Sequence, residues 1–320
     1  MRQDVLYDAF VVLKDESMKI SVRPAAYAAS AVSAVLLLLC SAPAEAQSRL
    51  ASDTALASMT RADREFARLS VDSTAQRAFL RLMAPDALIF RPRALKAHEY
   101  LRSRPMHPAL GLLWEPTFAD VAAAGDLGYT TGPWIASRRD QPQADPTFGQ
   151  YVTIWRRQPD RSWKVELHAG VAHGADPVGP AALRVAPPPN WRARTALDRA
   201  AAIRSLIVAD STLGAVSANL GAAAAFRDRS APHLRLLQQG EFAATGNEAH
   251  GLLRTLAVYR WRPAIANISA SGDLGYTVGS FLSASGPANA SIDRRGDYVR
   301  VWRRNAAGEW QVVLDLATPG

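Results

Sequence analysis

The hexapeptide GDLGYT occupies residues 125–130 and returns unchanged at residues 272–277. The same offset, 147 positions from residue 125 to residue 272, carries Trp155-Arg156-Arg157 onto Trp302-Arg303-Arg304. Self-similarity at a fixed spacing is the signature of a duplicated structural unit. The sequence therefore predicts two homologous copies of one unit.

The repeat extends well beyond the hexapeptide and needs no gap. Upstream, the offset places Asp63 on Asp210 and Trp114 on Trp261. Downstream, it places Leu167 on Leu314. The two copies are therefore expected to share one fold over nearly their full length.

A stretch rich in glycine and proline separates the copies at residues 174–191 and includes three consecutive prolines at 187–189. Consecutive prolines favour an extended, fairly stiff spacer. We therefore expect the first domain at residues 50–173 and the second at residues 192–318.

The pattern within one copy is typical of an α+β fold. A helix is predicted over 60–83, with Thr60 as its cap, followed by a short strand at 87–90 and a short helix at 95–103. Alternating apolar residues and turn signals then predict an antiparallel meander. Its strands are expected at 112–123, 127–138, 149–157 and 163–171.

Three motifs carry a resemblance to a known family: the hairpin at 125–132, the strand YVTIWRR at 151–157 and the closing WKVELH at 163–168, each with its counterpart in the second copy. Together they resemble the nuclear transport factor 2-like superfamily, in particular its SnoaL-like branch and bacterial domains of unknown function. The resemblance implies a cone, in which a curved antiparallel sheet wraps N-terminal helices around an apolar pocket. Relatives are isomerases, dehydratases, hydrolases and cyclases, or bind ligands or partners. Many pair sheet against sheet, so two copies in one chain imply an internal pseudo-dimer.

The N-terminal region, residues 1–46, has the anatomy of a secretory signal. An apolar run at 25–40 follows Lys19 and Arg23, and a small-x-small site predicts cleavage after Ala46. The run is shorter than the roughly 20 residues that a membrane span needs. We therefore expect a periplasmic or secreted protein with no membrane span after cleavage.

Residues 1–17 carry four acidic side chains ahead of the basic region, which favours a translation start at Met18. The single cysteine, Cys40, lies in the segment expected to be removed. The mature chain would then have no thiolate for catalysis or metal binding. The net charge of +8 comes from dispersed arginines without a basic block, so no nucleic-acid partner is expected.

Two residues are candidates for a general base. His168 ends the last strand of the first copy, and Asp315 takes its place in the second. Burial in an apolar cone raises the pKa of a carboxylate toward the working pH, which suits a general base. The plainer alternative is that both side chains only form hydrogen bonds at a strand end.

Aromatic side chains on the strands are candidates for ligand contact, the alternative being a role in the core or in an interface. They are Tyr129, Trp134, Trp155, Tyr276 and Trp302. Asp126 and Asp273 are interpreted as turn residues. The arginines after Trp155 and Trp302 are expected to be solvated or to cross the domain interface.

No zinc-protease helix motif, phosphate-binding glycine loop or nucleophile elbow occurs, so no metal and no cofactor are expected. Three functions remain open. The leading hypothesis is a protein that binds a small ligand of apolar or mixed polarity in one or both cones. The alternatives are an isomerase, dehydratase or hydrolase that uses His168 or Asp315, and a scaffold for protein interactions.

Overall fold

The computed structural model describes residues 44–175, 181–188, 190–191, 197–285 and 291–320. The apolar run at 25–40, Met18 and most of the predicted signal segment lie outside these residues, so export stays a prediction. Part of the predicted linker also lies outside them. Glu45–Gly320 forms one compact unit, so the boundaries drawn at 50–173 and 192–318 also remain a prediction.

The first copy places its helices ahead of a mainly antiparallel sheet. Its elements are α1 (Ala44–Asp72), α2 (Ala75–Leu82), β1 (Met83–Phe90), β2 (Ala94–Lys96), α3 (Ala97–Ser103), β3 (Leu110–Trp114), β4 (Phe118–Val121), β5 (Leu127–Arg138), β6 (Thr147–Arg157) and β7 (Trp163–His173). The short strand β8 (Arg184–Val185) follows and joins the same sheet. The strand order is β2-β1-β7-β6-β5-β4-β8, with β3 also paired to β5.

The second copy repeats this order. Its elements are α4 (Arg199–Leu220), α5 (Ala222–Arg227), β9 (Ser230–Gln238), β10 (Ala244–Thr245), α6 (Asn247–Leu253), β11 (Leu256–Ile268), β12 (Leu274–Ser285), β13 (Arg294–Arg304) and β14 (Trp310–Pro319). The strand order is β10-β9-β14-β13-β12-β11. The predicted α+β class with two tandem units is confirmed.

The helix predicted at 60–83 differs from the structure at its start and in its middle. α1 begins at Ala44, and the Thr60 hydroxyl donates to the Leu56 carbonyl 3.0 Å away inside α1 instead of capping a helix. The break comes at Thr74, whose side chain accepts from the Arg77 amide at 3.2 Å and so caps α2. A second N-cap inside an apolar periodic stretch divides what the pattern alone predicts as one helix.

The strand predicted at 112–123 is two strands, β3 and β4, because the chain leaves regular pairing at 115–117. There the Glu115 carbonyl lies over Gly132, where a Cβ would sit only 2.1 Å from that oxygen. Glycine therefore permits the close approach that the interruption needs. The strand predicted at 127–138 is confirmed as β5, and β6 and β7 are each two residues longer than predicted.

One face of each sheet is covered by the helices of its own copy. In the first copy, Phe66 of α1 and Phe79 of α2 meet edge to face at 4.8 Å and pack on Trp155 of β6. In the second copy, α4 and α5 pack on the sheet through Leu206 and Phe226. These two clusters are the cores of the two cones.

α4 is long and apolar enough to cross a membrane by length and composition. Its Leu206 and Leu213 are nevertheless buried in the second core, and the fully buried Asp210 lies between them. The apolar character of α4 is therefore explained by its packing in the core of the second cone.

The remaining sheet faces pack against each other in one apolar cluster. The first copy contributes Val152, Ile154 and Leu167, and the second contributes Val299, Val301 and Leu314, among others. All six belong to matched positions of the repeat. The two copies are thus joined through equivalent surfaces, as in a twofold dimer.

The hairpin aspartates make the same contact twice across this interface. Asp126 accepts from the Ala270 amide at 2.9 Å, and Asp273 accepts from the Ala123 amide at 3.0 Å. Both pairs are related by the repeat offset. The interpretation of these aspartates as turn residues is therefore incomplete, because each also binds the backbone of the other copy.

Two equivalent arginines also cross the interface. Arg156 donates to the Ile268 carbonyl of the second copy at 3.3 Å and pairs with Glu166 at 2.8 Å. Arg303 pairs with Asp120 of the first copy and lies 3.7 Å from Asp273. Arg156 and Arg303 were expected either to be solvated or to cross the domain interface, and the structure shows that both cross the interface.

Candidate functional site

A cavity of about 210 Å³ opens in the first cone, beside the helix-covered face of the sheet. Most of its wall is apolar: Leu110, Leu112, Trp114, Trp134, Ala136 and Gly170. Three polar side chains complete it: Arg91, Tyr151 and His168. An apolar space with a few polar groups is the usual form of a small-molecule site.

His168, one of the two residues predicted as a general base, lies on the wall of this cavity. It lies on β7, and its Nδ1 is 2.9 Å from the Thr153 hydroxyl. Its ring stacks on Tyr151 with centroids 6.0 Å apart. Burial, and to a lesser degree the positive charge of Arg91, lowers the pKa of His168 to about 3. The imidazole is therefore neutral at ordinary pH, and its Nε2 makes no hydrogen bond within the described residues, which leaves that atom for a ligand.

Tyr151 connects the cavity to a buried carboxyl group. Its hydroxyl donates to Oδ2 of Asp63 at 2.6 Å, and Asp63 is fully buried beneath it on α1. Oδ1 of Asp63 has no hydrogen-bond partner among the described residues. Burial raises the pKa of Asp63 to about 7, against the opposing effect of hydrogen bonds from Tyr151 and its neighbours. Asp63 and Tyr151 thus form a pair that can hold or release a proton near neutral pH.

The helix pattern around Asp63 indicates only a residue of a first helical turn. The repeat itself could have identified Asp63 as a special residue. Aspartate occupies both of the equivalent positions, 63 and 210, although the two helices are otherwise dissimilar. A charged residue retained on the apolar face of a helix needs a partner inside the core. In both copies that partner is a tyrosine from the central strand: Tyr151 in the first and Tyr298 in the second.

The three tryptophans singled out from the sequence have two different positions. Trp134 lines the cavity and donates to the Gln150 carbonyl at 3.1 Å. Trp155 and Trp302 are buried in their cores, where each donates at 3.0 Å to a threonine hydroxyl, Thr130 and Thr277 respectively. Only Trp134 is in place to touch a molecule in the first cone.

The two tyrosines predicted to contact a ligand lie elsewhere. Tyr129 and Tyr276 are buried between the two sheets, in the apolar cluster that joins the copies. The Tyr276 hydroxyl donates to Glu166 of the first copy at 3.1 Å. The prediction of ligand contact does not agree with this placement, because their strand positions face the other copy rather than the helices.

The second cone is filled by a buried ion cluster where the first has its cavity. Arg300 stands at the position of Thr153, and Asp315 at that of His168. The Arg300 guanidinium binds Asp315 at 2.7 Å and Asp210 at 2.6 Å, and all three side chains are fully buried. The ring of Trp261 covers the guanidinium at 4.2 Å.

Asp315 is therefore not placed to act as a general base. Its carboxylate is held by Arg300 and also accepts from the Tyr259 hydroxyl at 3.1 Å. A base must be within hydrogen-bond reach of its substrate, and Asp315 has no surface open to one. Within the described residues, no group of three or more His, Cys, Asp or Glu side chains is arranged to hold a metal ion in either cone.

The raised pKa of Asp63 makes the stability of the protein depend on pH. In the unfolded chain this carboxyl has the ordinary aspartate pKa of 3.8, whereas the folded protein keeps the proton until about pH 7. Stability is therefore expected to fall as pH rises through this window, by on the order of 4 kcal/mol. Asp63→Asn should remove this dependence, as urea unfolding at several pH values will show.

The exposed Asp72→Asn, on the same helix, provides the baseline for that comparison. The assignment of Asp63 is contradicted if the pH profile of Asp63→Asn runs parallel to that of the wild type. A flattened profile in Asp63→Asn but not in Asp72→Asn supports it.

The structure matches solved proteins over about one copy at a time. A conserved protein from Planctomyces limnophilus matches with a TM-score of 0.32 and 14% identity, over 38% of this chain and 100% of that chain. A nuclear transport factor 2-like superfamily protein from Salmonella enterica serovar Typhimurium matches with a TM-score of 0.32 and 16% identity, over 40% and 96%. A ketosteroid isomerase-like protein from Erwinia carotovora matches with a TM-score of 0.31 and 14% identity, over 36% and 95%.

No protein-family model matches the sequence, and no curated protein gives a significant match. Each copy has N-terminal helices against one face of a mainly antiparallel sheet, which is the nuclear transport factor 2-like fold that the sequence resemblance implied.

Proposed function

We propose that the protein binds a small ring-containing molecule with one polar group, in the cone of the first copy only. The observation that carries this proposal is the contrast between the copies. The first cone has a cavity bordered by His168, and the second has the Arg300 cluster in the corresponding space.

The size of the cavity limits the ligand. Its volume of about 210 Å³ exceeds the roughly 150 Å³ that suffices to bind benzene in an apolar core. A single ring with one or two substituents, or a small fused ring, therefore fits. Larger ligands of drug size occupy pockets of about 300 Å³ or more.

The chemistry of the wall favours an aromatic or alicyclic ligand with one hydrogen-bonding group. Trp114 and Trp134 offer ring faces and edges for stacking. The neutral His168 offers Nε2 as donor or acceptor, according to its tautomer. A phenol or a cyclic ketone would meet both requirements.

An enzyme is the second candidate, and the Asp63–Tyr151 pair is the observation that favours it. As a general base His168 is weak at neutral pH, because its pKa is lowered to about 3. Asp63, with a pKa of about 7, has the better match to neutral pH. Its carboxyl is separated from the cavity by the Tyr151 hydroxyl, so any proton transfer to a ligand would pass through that hydroxyl. Catalysis would require this proton relay in addition to a bound ligand, whereas binding requires only the cavity. Binding is therefore the function proposed.

Export to the periplasm or beyond is part of the proposal, and its support is the sequence pattern of residues 1–46. If cleavage follows Ala46, the mature protein begins at Gln47. N-terminal sequencing of protein recovered from the cell envelope tests this. An uncleaved N-terminus would contradict it.

Filling the cavity should abolish ligand binding. Ala136→Phe adds a ring where Ala136 borders the cavity. The affinity for p-cresol is expected to fall at least about tenfold, which corresponds to about 1.4 kcal/mol, because the added ring occupies space that the ligand needs. Titration calorimetry on the full chain measures the change. Ser137→Phe, at the exposed neighbouring position of the same strand, is the matched control.

The proposal is supported if Ser137→Phe keeps the wild-type affinity while Ala136→Phe loses it. Equal affinities for both variants would place the ligand elsewhere. His168→Phe separates the polar contact from the apolar one. It should weaken p-cresol, which bears a hydroxyl, more than toluene, which bears none.

A further inference from the structure

A second and larger cavity lies outside both cones. It is a groove of about 530 Å³ at the edge of the second sheet, where β11 is the last strand. Four arginines border it: Arg93 from the first copy, and Arg260, Arg262 and Arg295 from the second. Leu282 is the exposed apolar residue among them.

Strand register places three of these arginines on one face. Arg260 of β11 pairs with Leu282 of β12, which pairs in turn with Arg295 of β13. Arg262 lies two residues along β11 and therefore points to the same side. Arg93, from the connection after β1, reaches the groove from the first copy. Arg260, Arg262 and Arg295 thus share one face of the sheet with the apolar Leu282.

The positive charge of this groove is largely uncompensated. Within the described residues, Arg260, Arg262 and Arg295 make no ion pair, and Arg93 has only a long contact of 3.9 Å with Asp297. Asp297 is itself bound by the Ala94 amide at 2.8 Å. Clustered like charges repel unless an anion lies between them.

The other copy shows that the fold does not require these arginines. The positions equivalent to Arg260, Arg262 and Arg295 hold Leu113, Glu115 and Phe148, respectively. The first copy pairs Leu113, Ile135 and Phe148 across three strands without a basic face. Strand pairing therefore does not require arginines at these positions.

We propose that this groove binds a small organic molecule that carries two or more phosphate groups. Guanidinium groups bind phosphate oxygens through two parallel hydrogen bonds, and several arginines around one space favour a ligand with several such groups. The volume is that of a site for a molecule of nucleotide size.

This site is independent of the cone proposed above, because its lining shares no residue with that cavity. The two proposals can therefore fail separately. Ala136→Phe should leave phosphate binding unchanged, whereas the arginine variants below should leave p-cresol binding unchanged.

The test is calorimetric titration of the full chain with ADP and with inorganic pyrophosphate at low and physiological salt. The double variant Arg260→Gln with Arg295→Gln should bind ADP at least about tenfold more weakly, because it removes two charged donors of hydrogen bonds to phosphate. The matched control is Arg204→Gln with Arg227→Gln, which removes the same charge from exposed helix positions of the same copy.

The proposal is supported by saturable binding of ADP that the groove variant loses and the control keeps. An equal loss in both double variants would show that net charge alone attracts the anion, which overturns the proposal. Failure of the wild type to bind either probe saturably also overturns it. Circular dichroism of each variant establishes that it is folded before its affinity is compared.

Discussion

Arg300→Thr is expected to lower the free energy of unfolding by about 3–5 kcal/mol, because it leaves buried carboxylates without their cation. Asp210 and Asp315 are fully buried, and both bind the Arg300 guanidinium directly. Threonine is the residue that the first copy has at this position, so the backbone accepts it. Urea unfolding of the full chain measures the loss.

A second substitution distinguishes lost charge from lost packing. Arg300→Thr combined with Asp315→His gives the second cone the residues of the first copy at these two positions, and it removes one of the two unpaired carboxylates. The double variant should regain part of the lost stability. Arg295→Thr, exposed on the same strand, is the control and should change stability by less than about 0.5 kcal/mol. A stability of Arg300→Thr within about 1 kcal/mol of the wild type would contradict the ion cluster as described.

Arg303→Met is expected to destabilise the protein by about 3 kcal/mol, because Arg303 is the buried cation between Asp120 and Asp273. Its substitution leaves two carboxylates without compensation at the interface between the sheets. Arg156, the equivalent residue of the first copy, lies among more exposed partners: its side chain is 17% exposed and that of Asp126 is 27% exposed. Arg156→Met should therefore cost about 1 kcal/mol, closer to an exposed ion pair.

Arg156→Met serves as the control for Arg303→Met, because the repeat relates the two residues and the substitution is the same. Thermal or urea unfolding of both gives the difference. Equal losses would show that the two ends of the interface are electrostatically equivalent, contrary to the burial in the structure.

The elements that the sequence predicted well are those in which local signals agree. The strand at 127–138 has a glycine turn before it and an alternating pattern along it, and β5 has these limits. The prediction of one helix at 60–83 was wrong because the chain is divided there by the N-cap at Thr74. A threonine inside an apolar stretch can also form other local hydrogen bonds, so the sequence alone does not mark it as a cap. The interruption between β3 and β4 depends on a neighbouring strand, which no local pattern reveals.

The candidate site was predictable in part. His168 was chosen as a candidate because it is a titratable residue beside apolar neighbours near the predicted strand end. The structure places it in the middle of β7, on the wall of the cavity. Tyr129 and Tyr276 were misplaced because both faces of these strands carry bulky residues, so alternation could not show which face meets the helices. Asp63 was missed because its partner, Tyr151, lies 88 positions away in sequence.

The filling of the second cone was also beyond sequence reasoning. In the sequence, Arg300 is indistinguishable from the other dispersed arginines. The fold brings Asp210 and Asp315 into contact with it. Only the order of the strands and the helix packing show that the three residues meet. The difference between the copies, a cavity in one and an ion cluster in the other, is therefore a finding of the structure.

A ring compound located in crystals of the full chain would show directly which cone holds a ligand. Crystals of the wild type and of Arg300→Thr with Asp315→His would be soaked with 4-bromophenol, and the bromine located by its anomalous scattering. We expect one bromine per wild-type chain, in the first cone beside Trp134 and His168, and a second bromine in the double variant. Bromine in the second cone of the wild type, or none in the first, would refute binding in the first cone alone.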